Sequence, residues 1–108
     1  MAGSADVVVV LVTAPSAEKA AEIARAVVEE RLAACVNVLP AVRSIYRWEG
    51  EVQDEAEALM VIKTRAEAFE KLRARVVSLH PYGCPEVVAL PVAAGHAPYL
   101  AWLTGSVG

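Results

Sequence analysis

The chain is poor in cysteine, aromatic residues and long apolar runs, and each shortage closes off a class of protein. Its 108 residues include two cysteines, Cys35 and Cys84. They form no CxxC pair and match no zinc-ligand spacing, so a thioredoxin-like motif and a zinc finger are both excluded. No basic-then-apolar leader is seen at the start, and a cytoplasmic location with reduced thiols is expected. Counting alone leaves a Cys35–Cys84 disulfide open. The longest unbroken apolar run, Val7 to Val12, is far below the roughly 20 residues of a membrane-spanning helix. No membrane partner is expected. Glycine number is low and no Gly-rich phosphate loop is present. A net charge of −3 and a pI near 5.3 argue against a nucleic-acid partner. No Ser or Cys with a His and an acid stands at a defensible spacing, so a non-enzymatic protein is expected.

What the chain does have is hydrophobicity, at 56% of residues, much of it Ala and Val. The length suits one domain, 1–108, with Met1–Ala5 as a frayed start. Cys35 to Lys63 reads as a single long hairpin. Val36, Val38, Val42, Ile45, Tyr46 and Trp48 suit a pleated surface, and Glu49-Gly50 makes the turn, where Gly accepts a positive φ. An arm of 14 residues at about 3.3 Å each would reach about 45 Å, well beyond the body of so small a domain. Pro40 in the first arm marks a bulge or an edge.

Around the hairpin lie four more elements and a short tail. Asp6 to Ala14 is a strand with no polar alternation, as expected for burial on both faces. Ser16 caps a helix running to about Ala34, with Ala20, Ala24, Val27, Val28 and Leu32 inward. Thr64-Arg65-Ala66-Glu67 fits a capping box opening a second helix to Leu79, with Phe69, Leu72, Val76 and Leu79 inward. His80-Pro81 stops it. Glu86 to Pro91 is a last strand, and Pro98 to about Thr104 a short last helix.

The order, βαββαβ plus a C-terminal helix, is the α+β ferredoxin-like split βαβ plan. Two helices cover one sheet face. Apolar residues in Val7–Val12, Leu59–Ile62 and Val87–Leu90 supply both faces, and no sequence remains for a second layer. Self-association is therefore expected to cover the other face.

The runs V-T-A-P at 12–15, A-A-C-V-N at 33–37, S-I-Y-x-W-x-G at 44–50, K-T at 63–64, H-P-Y at 80–82, P-E at 85–86 and Y-x-x-W at 99–102 resemble the CutA family, the divalent-cation tolerance proteins. The match spans Val7 to Leu103. The resemblance implies a homotrimer of PII-like layout, a role in divalent-metal response, and possible ligands in Cu²⁺ or another divalent cation. Copper-binding members carry a Cys before the Thr-Ala-Pro run and a His-His pair before Pro-Tyr. Here Val12 and Leu79 occupy two of those positions, and His80 alone is shared.

The candidate metal donors are thus His80 and, across the Pro-Tyr-Gly turn, Cys84; the plain alternative for His80 is a helix-end hydrogen bond. His96 is expected in solvent. Glu49, Glu51, Asp54, Glu55 and Glu57 read as a charged rim that keeps an edge strand soluble, or as a weak cation attractor. Tyr46, Trp48, Lys63, Tyr82, Glu86, Tyr99 and Trp102 recur in the family motifs. They are read either as interface packing or as an intersubunit pocket where Lys63 and Glu86 orient a small ligand. Two alternatives to metal response follow: a PII-like small-molecule sensor, and a small-molecule enzyme using Lys63, Glu86 and His80.

Overall fold

The four strands are β1 (Val7–Ala14), β2 (Cys35–Trp48), β3 (Glu51–Arg65) and β4 (Val88–Pro91), and the helices are α1 (Ala17–Glu29), α2 (Phe69–Leu79) and α3 (Ala97–Gly105). These come from a computed structural model that describes residues 6–108; the expected fraying of Met1–Ala5 lies outside them. The strands form one antiparallel sheet in the order β2-β3-β1-β4. This is the α+β, ferredoxin-like arrangement anticipated from the element order.

Side-chain parity divides the sheet cleanly. Val8, Val10, Val12 and Ala14 of β1 and Ala58, Met60 and Ile62 of β3 are buried in one core with Ala20, Ile23 and Val27 of α1 and Leu72 and Val76 of α2. Both helices therefore cover the same face. The opposite face carries Val9, Leu11, Leu39, Leu59, Val61, Val88 and Leu90, placed there by the register. Leu39, Val88 and Leu90 are 42%, 47% and 52% exposed, and the other four are half-buried. Apart from Val7, the continuous apolar run of β1 is thus fully buried on the helix side only. That open face is not wholly bare. Val7 at its edge is buried, as are Leu103 of α3 and Val107 beyond it, and α3 packs against β3. The C-terminal segment covers one end of a face for which no cover was expected from this chain.

The hairpin extends as its length requires. The long axis is 46 Å, against 26 and 22 Å across. β1 pairs with β3 only over residues 58–65, so the distal part of the hairpin is a two-stranded ribbon. Pairing shifts between Leu39↔Leu59 and Val42↔Glu57, which places a bulge at Pro40 on what is also the edge strand. The missing N–H of proline costs nothing there. Glu49 and Gly50 both take positive φ, 50° and 81°, the backbone of a tight hairpin turn.

Three local expectations are corrected. Helix α1 ends at Glu29, not Ala34. Arg31 turns left-handed at φ 61°, and the Leu32 N–H bonds back to Val27 O at 2.9 Å. Glu29 in the last turn and Glu30 at the C-cap oppose the helix dipole. Arg31 is held in this strained state by the chain's last residues: its Nε donates to Gly108 O at 2.7 Å, and its carbonyl accepts from Gly108 N at 2.9 Å. Second, Thr64 is no helix cap. It is the buried penultimate residue of β3, and its Oγ1 donates to Leu32 O at 2.7 Å. A single 3-10 turn, Ala66–Ala68, intervenes before α2, whose N-cap Ala68 makes no side-chain bond. Third, β4 starts at Val88 rather than Glu86, because Glu86 belongs to the loop described next. Ser16 does cap α1, accepting from Lys19 N at 3.1 Å.

Candidate functional site

Beyond the end of β1, the distal hairpin meets the loop that follows α2. Alternation along β3 carries Glu57, Glu55, Gln53 and Glu51 on the same face as Leu59 and Val61. Their partners Val42, Ser44, Tyr46 and Trp48 share that face. Arg43, Ile45, Arg47, Val52, Asp54 and Ala56 take the reverse side, where Arg43 and Asp54 form a bidentate pair at 2.8 and 2.6 Å. Residues Tyr82–Glu86 of the following loop lie along the first face. Together they enclose a cleft of about 770 Å³ whose lining includes Thr13, Ser44, Tyr46, Trp48, Glu55, Glu57 and the run Tyr82–Glu86.

His80 fixes the loop. It is 8% exposed. Its Nδ1 accepts the Tyr82 backbone N–H at 3.1 Å, and its Nε2 lies 2.7 Å from Thr13 O. A carbonyl can only accept, so Nε2 carries the proton and donates. The ring also lies against that of Tyr82, centroids 4.7 Å apart. Both nitrogens are thus committed, Nε2 tying the loop to the end of β1 and Nδ1 fixing the bend of the loop itself. Pro81 and the end of α2 direct the chain into this bend.

Tyr82 then donates its hydroxyl to Glu57 Oε2 at 2.9 Å. Burial pushes the phenol up to about 12, assisted by the bond to Glu57 and the nearby charges of Glu57 and Glu55. Tyr46 is the parallel case on the hairpin. Its hydroxyl donates to Glu55 Oε1, and that bond, more than desolvation, raises it to about 12. Two neutral phenols therefore face two carboxylates. Glu57 is 8% exposed and no basic side chain pairs with it among the described residues.

Of the candidate ligand residues, Tyr46, Trp48, Tyr82 and Glu86 line this cleft together with the candidate donor Cys84. Lys63 does not. It lies six residues from Glu57 along β3, about 20 Å at 3.3 Å per residue, bonded to Asn37 Oδ1. Tyr99 and Trp102 lie on α3, exposed, with rings 5.6 Å apart. His96 is exposed at the start of the same helix. Within one chain Lys63 and Glu86 do not share a cavity. Cys35 and Cys84 are free thiols. No group of three or more His, Cys, Asp or Glu is placed to hold a metal ion among the described residues.

Glu55 and Glu57 were legible as acids but not as cleft walls. The usable signal was parity: two-residue steps back from Leu59 and Val61 reach Glu57 and Glu55. Ser44, Thr13 and Pro85 carried no such signal.

The chain's likenesses agree with its architecture. The family model described as "CutA1 divalent ion tolerance protein" matches residues 8–106. A divalent-cation tolerance protein CutA from Thermus thermophilus is 57% identical over 100 residues, covering 93% of this chain and 97% of the relative. A chloroplastic protein CutA from Arabidopsis thaliana is 46% identical over 99 residues, and there the chain spans 54% of the relative's length. Among solved structures, the Thermus thermophilus protein superposes with a TM-score of 0.92 at 56% identity, covering 94% of this chain and 99% of that one. CutA1 from Oryza sativa does so with 0.94 at 42% identity, covering 100% and 98%. With the family model spanning nearly the whole chain and the fold matched over the same length, this protein belongs to the CutA1 divalent ion tolerance family.

Proposed function

We propose that this chain works as a self-associating, non-catalytic protein of divalent-cation response, with a PII-like homotrimer as its functional unit. The observation that carries the reading is the open sheet face. Seven apolar side chains, Val9 to Leu90, stand on it with cover at one end only. An apolar surface of that kind on a chain of this size calls for a partner, and a second copy is always available. The overhanging hairpin, with Ile45 and Val52 each 63% exposed, supplies a second surface for the same assembly. The number three comes from the family resemblance.

The single chain does not fit a copper site of the family type. Val12 and Leu79 replace two donors, and the two nitrogens of His80 are spoken for. A divalent ion held by this protein would draw donors from several copies, with exposed Cys84 as the candidate soft ligand. Joining Lys63 to Glu86 in one ligand pocket would likewise need two chains. We take the compartment of this protein to be the cytoplasm, where thiols stay reduced.

Sedimentation at micromolar concentration tests the reading. A species of three times the 11.4 kDa chain mass is expected, and Leu11→Lys on the open face should release monomer. Calorimetry with Cu²⁺ and Zn²⁺ on both proteins then asks whether binding needs the assembly. A folded wild-type monomer at that concentration would overturn the proposal.

A further inference from the structure

The cleft between the distal hairpin and the Pro81–Val87 loop has a composition that metal response does not use. Its lining contains three carboxylates, Glu55, Glu57 and Glu86, and three aromatic rings, Tyr46, Trp48 and Tyr82, and no Lys, Arg or His. Glu57 is more than nine-tenths buried, yet its one side-chain partner is the neutral phenol of Tyr82. Buried carboxylates are ordinarily paired with a cation or bound to a metal. The exposed Asp54 on the reverse face does have a cation partner, Arg43. Glu57 faces the cleft without such a partner.

We propose that this cleft binds a small organic cation, a substituted ammonium ion, with Glu57 as its counter-charge and the Tyr46, Trp48 and Tyr82 rings as its walls. An anion is excluded by the charge of the lining. A bare divalent ion is a poor fit. Ca²⁺ takes six to eight oxygens and Mg²⁺ a near-ideal octahedron, whereas Tyr46 and Tyr82 each occupy a carboxylate oxygen on Glu55 and Glu57. Aromatic faces add nothing for a strongly hydrated metal. They do attract a weakly hydrated ammonium group, through the negative face of each ring. The volume, about 770 Å³, lies in the usual range for small-ligand sites. His80 acts as a positioning residue, since its two bonds hold Tyr82 over Glu57. The proposal is independent of metal response, and it requires that the self-association proposed above leave this cleft open.

The test is an NMR titration of the intact protein labelled at its tryptophan indoles, using tetramethylammonium chloride against matched sodium chloride. The neutral isostere tert-butanol serves as a second control. The Trp48 indole should shift saturably with tetramethylammonium while Trp102, on α3, stays still. Glu57→Gln, which keeps the shape and the Tyr82 bond acceptor, should weaken binding on the order of tenfold with unchanged sedimentation. The exposed Glu55→Gln, safe for folding, should weaken it less. A Trp48 shift no larger than that from sodium chloride, an equal response to tert-butanol, or undiminished binding by Glu57→Gln would each overturn the proposal. So would finding a Lys or Arg of a second copy lodged against Glu57.

Discussion

Thr64→Val probes the junction where the end of β3 meets the loop after α1. The two side chains have nearly the same volume, so packing in the core is conserved and the hydroxyl alone is removed. In the native protein Thr64 is fully buried and its Oγ1 donates to Leu32 O at 2.7 Å. A neutral hydrogen bond contributes about 1 kcal/mol net, and a buried carbonyl stripped of its donor costs about 1–3 kcal/mol. Leu32 is only half-buried, so water partly replaces the lost donor and the cost falls at the low end, about 1–2 kcal/mol. For a domain near 100 residues this lowers Tm by about 4–10 °C. Thermal melts must be compared at one protomer concentration, since any assembly adds a mass-action term. Hydrogen exchange locates the effect. The Ala34 N–H, bonded to Lys63 O at 2.9 Å, should lose protection while the amides of α2 keep theirs. An unchanged Tm, or protection lost only at the start of α2 as a helix cap would require, would refute the assignment.

Three further outcomes are expected. The phenols of Tyr46 and Tyr82, both raised to about 12 from an unfolded value near 10, bind their protons more tightly folded than unfolded. Their contribution is therefore complete below about pH 10 and lost as pH rises toward about 12, and tyrosinate absorbance should show Glu57→Gln lowering the Tyr82 value. Glu49 sits at φ 50° beside Gly50 at φ 81°; Glu49→Asn should stabilise the turn by about 0.5–1 kcal/mol, and Gly50→Ala should cost about 1 kcal/mol, both read by chemical denaturation. Exposed Cys84 should react with a thiol reagent well before half-buried Cys35, and equal rates would contradict the burial assigned to them.

Several features were legible because they depend on near neighbours. The Glu49-Gly50 turn, the Ser16 cap and the stop at His80-Pro81 are each dictated by the φ or hydrogen-bond needs of a few adjacent residues. Pro40 announced its bulge because a residue without an N–H cannot continue a ladder. The misreadings share an opposite cause. Thr64-x-x-Glu67 has the letters of a capping box, but the hydroxyl bonds a carbonyl 32 residues away. The apolar pattern of α1 runs on past Glu29, but the backbone leaves the helix where Arg31 ties to Gly108.

The amino-acid order by itself determined the elements, their sequence along the chain and the excess of apolar surface, since side-chain period and turn chemistry are local properties. Only the tertiary structure decided that α3 would cover one end of the open sheet face. It alone brought the Tyr82 loop, strapped by His80 to Thr13, over Glu57, and left Lys63 at the far end of the same strand. The loop's placement rests on contacts between residues 25 and 67 positions apart, which no local pattern encodes.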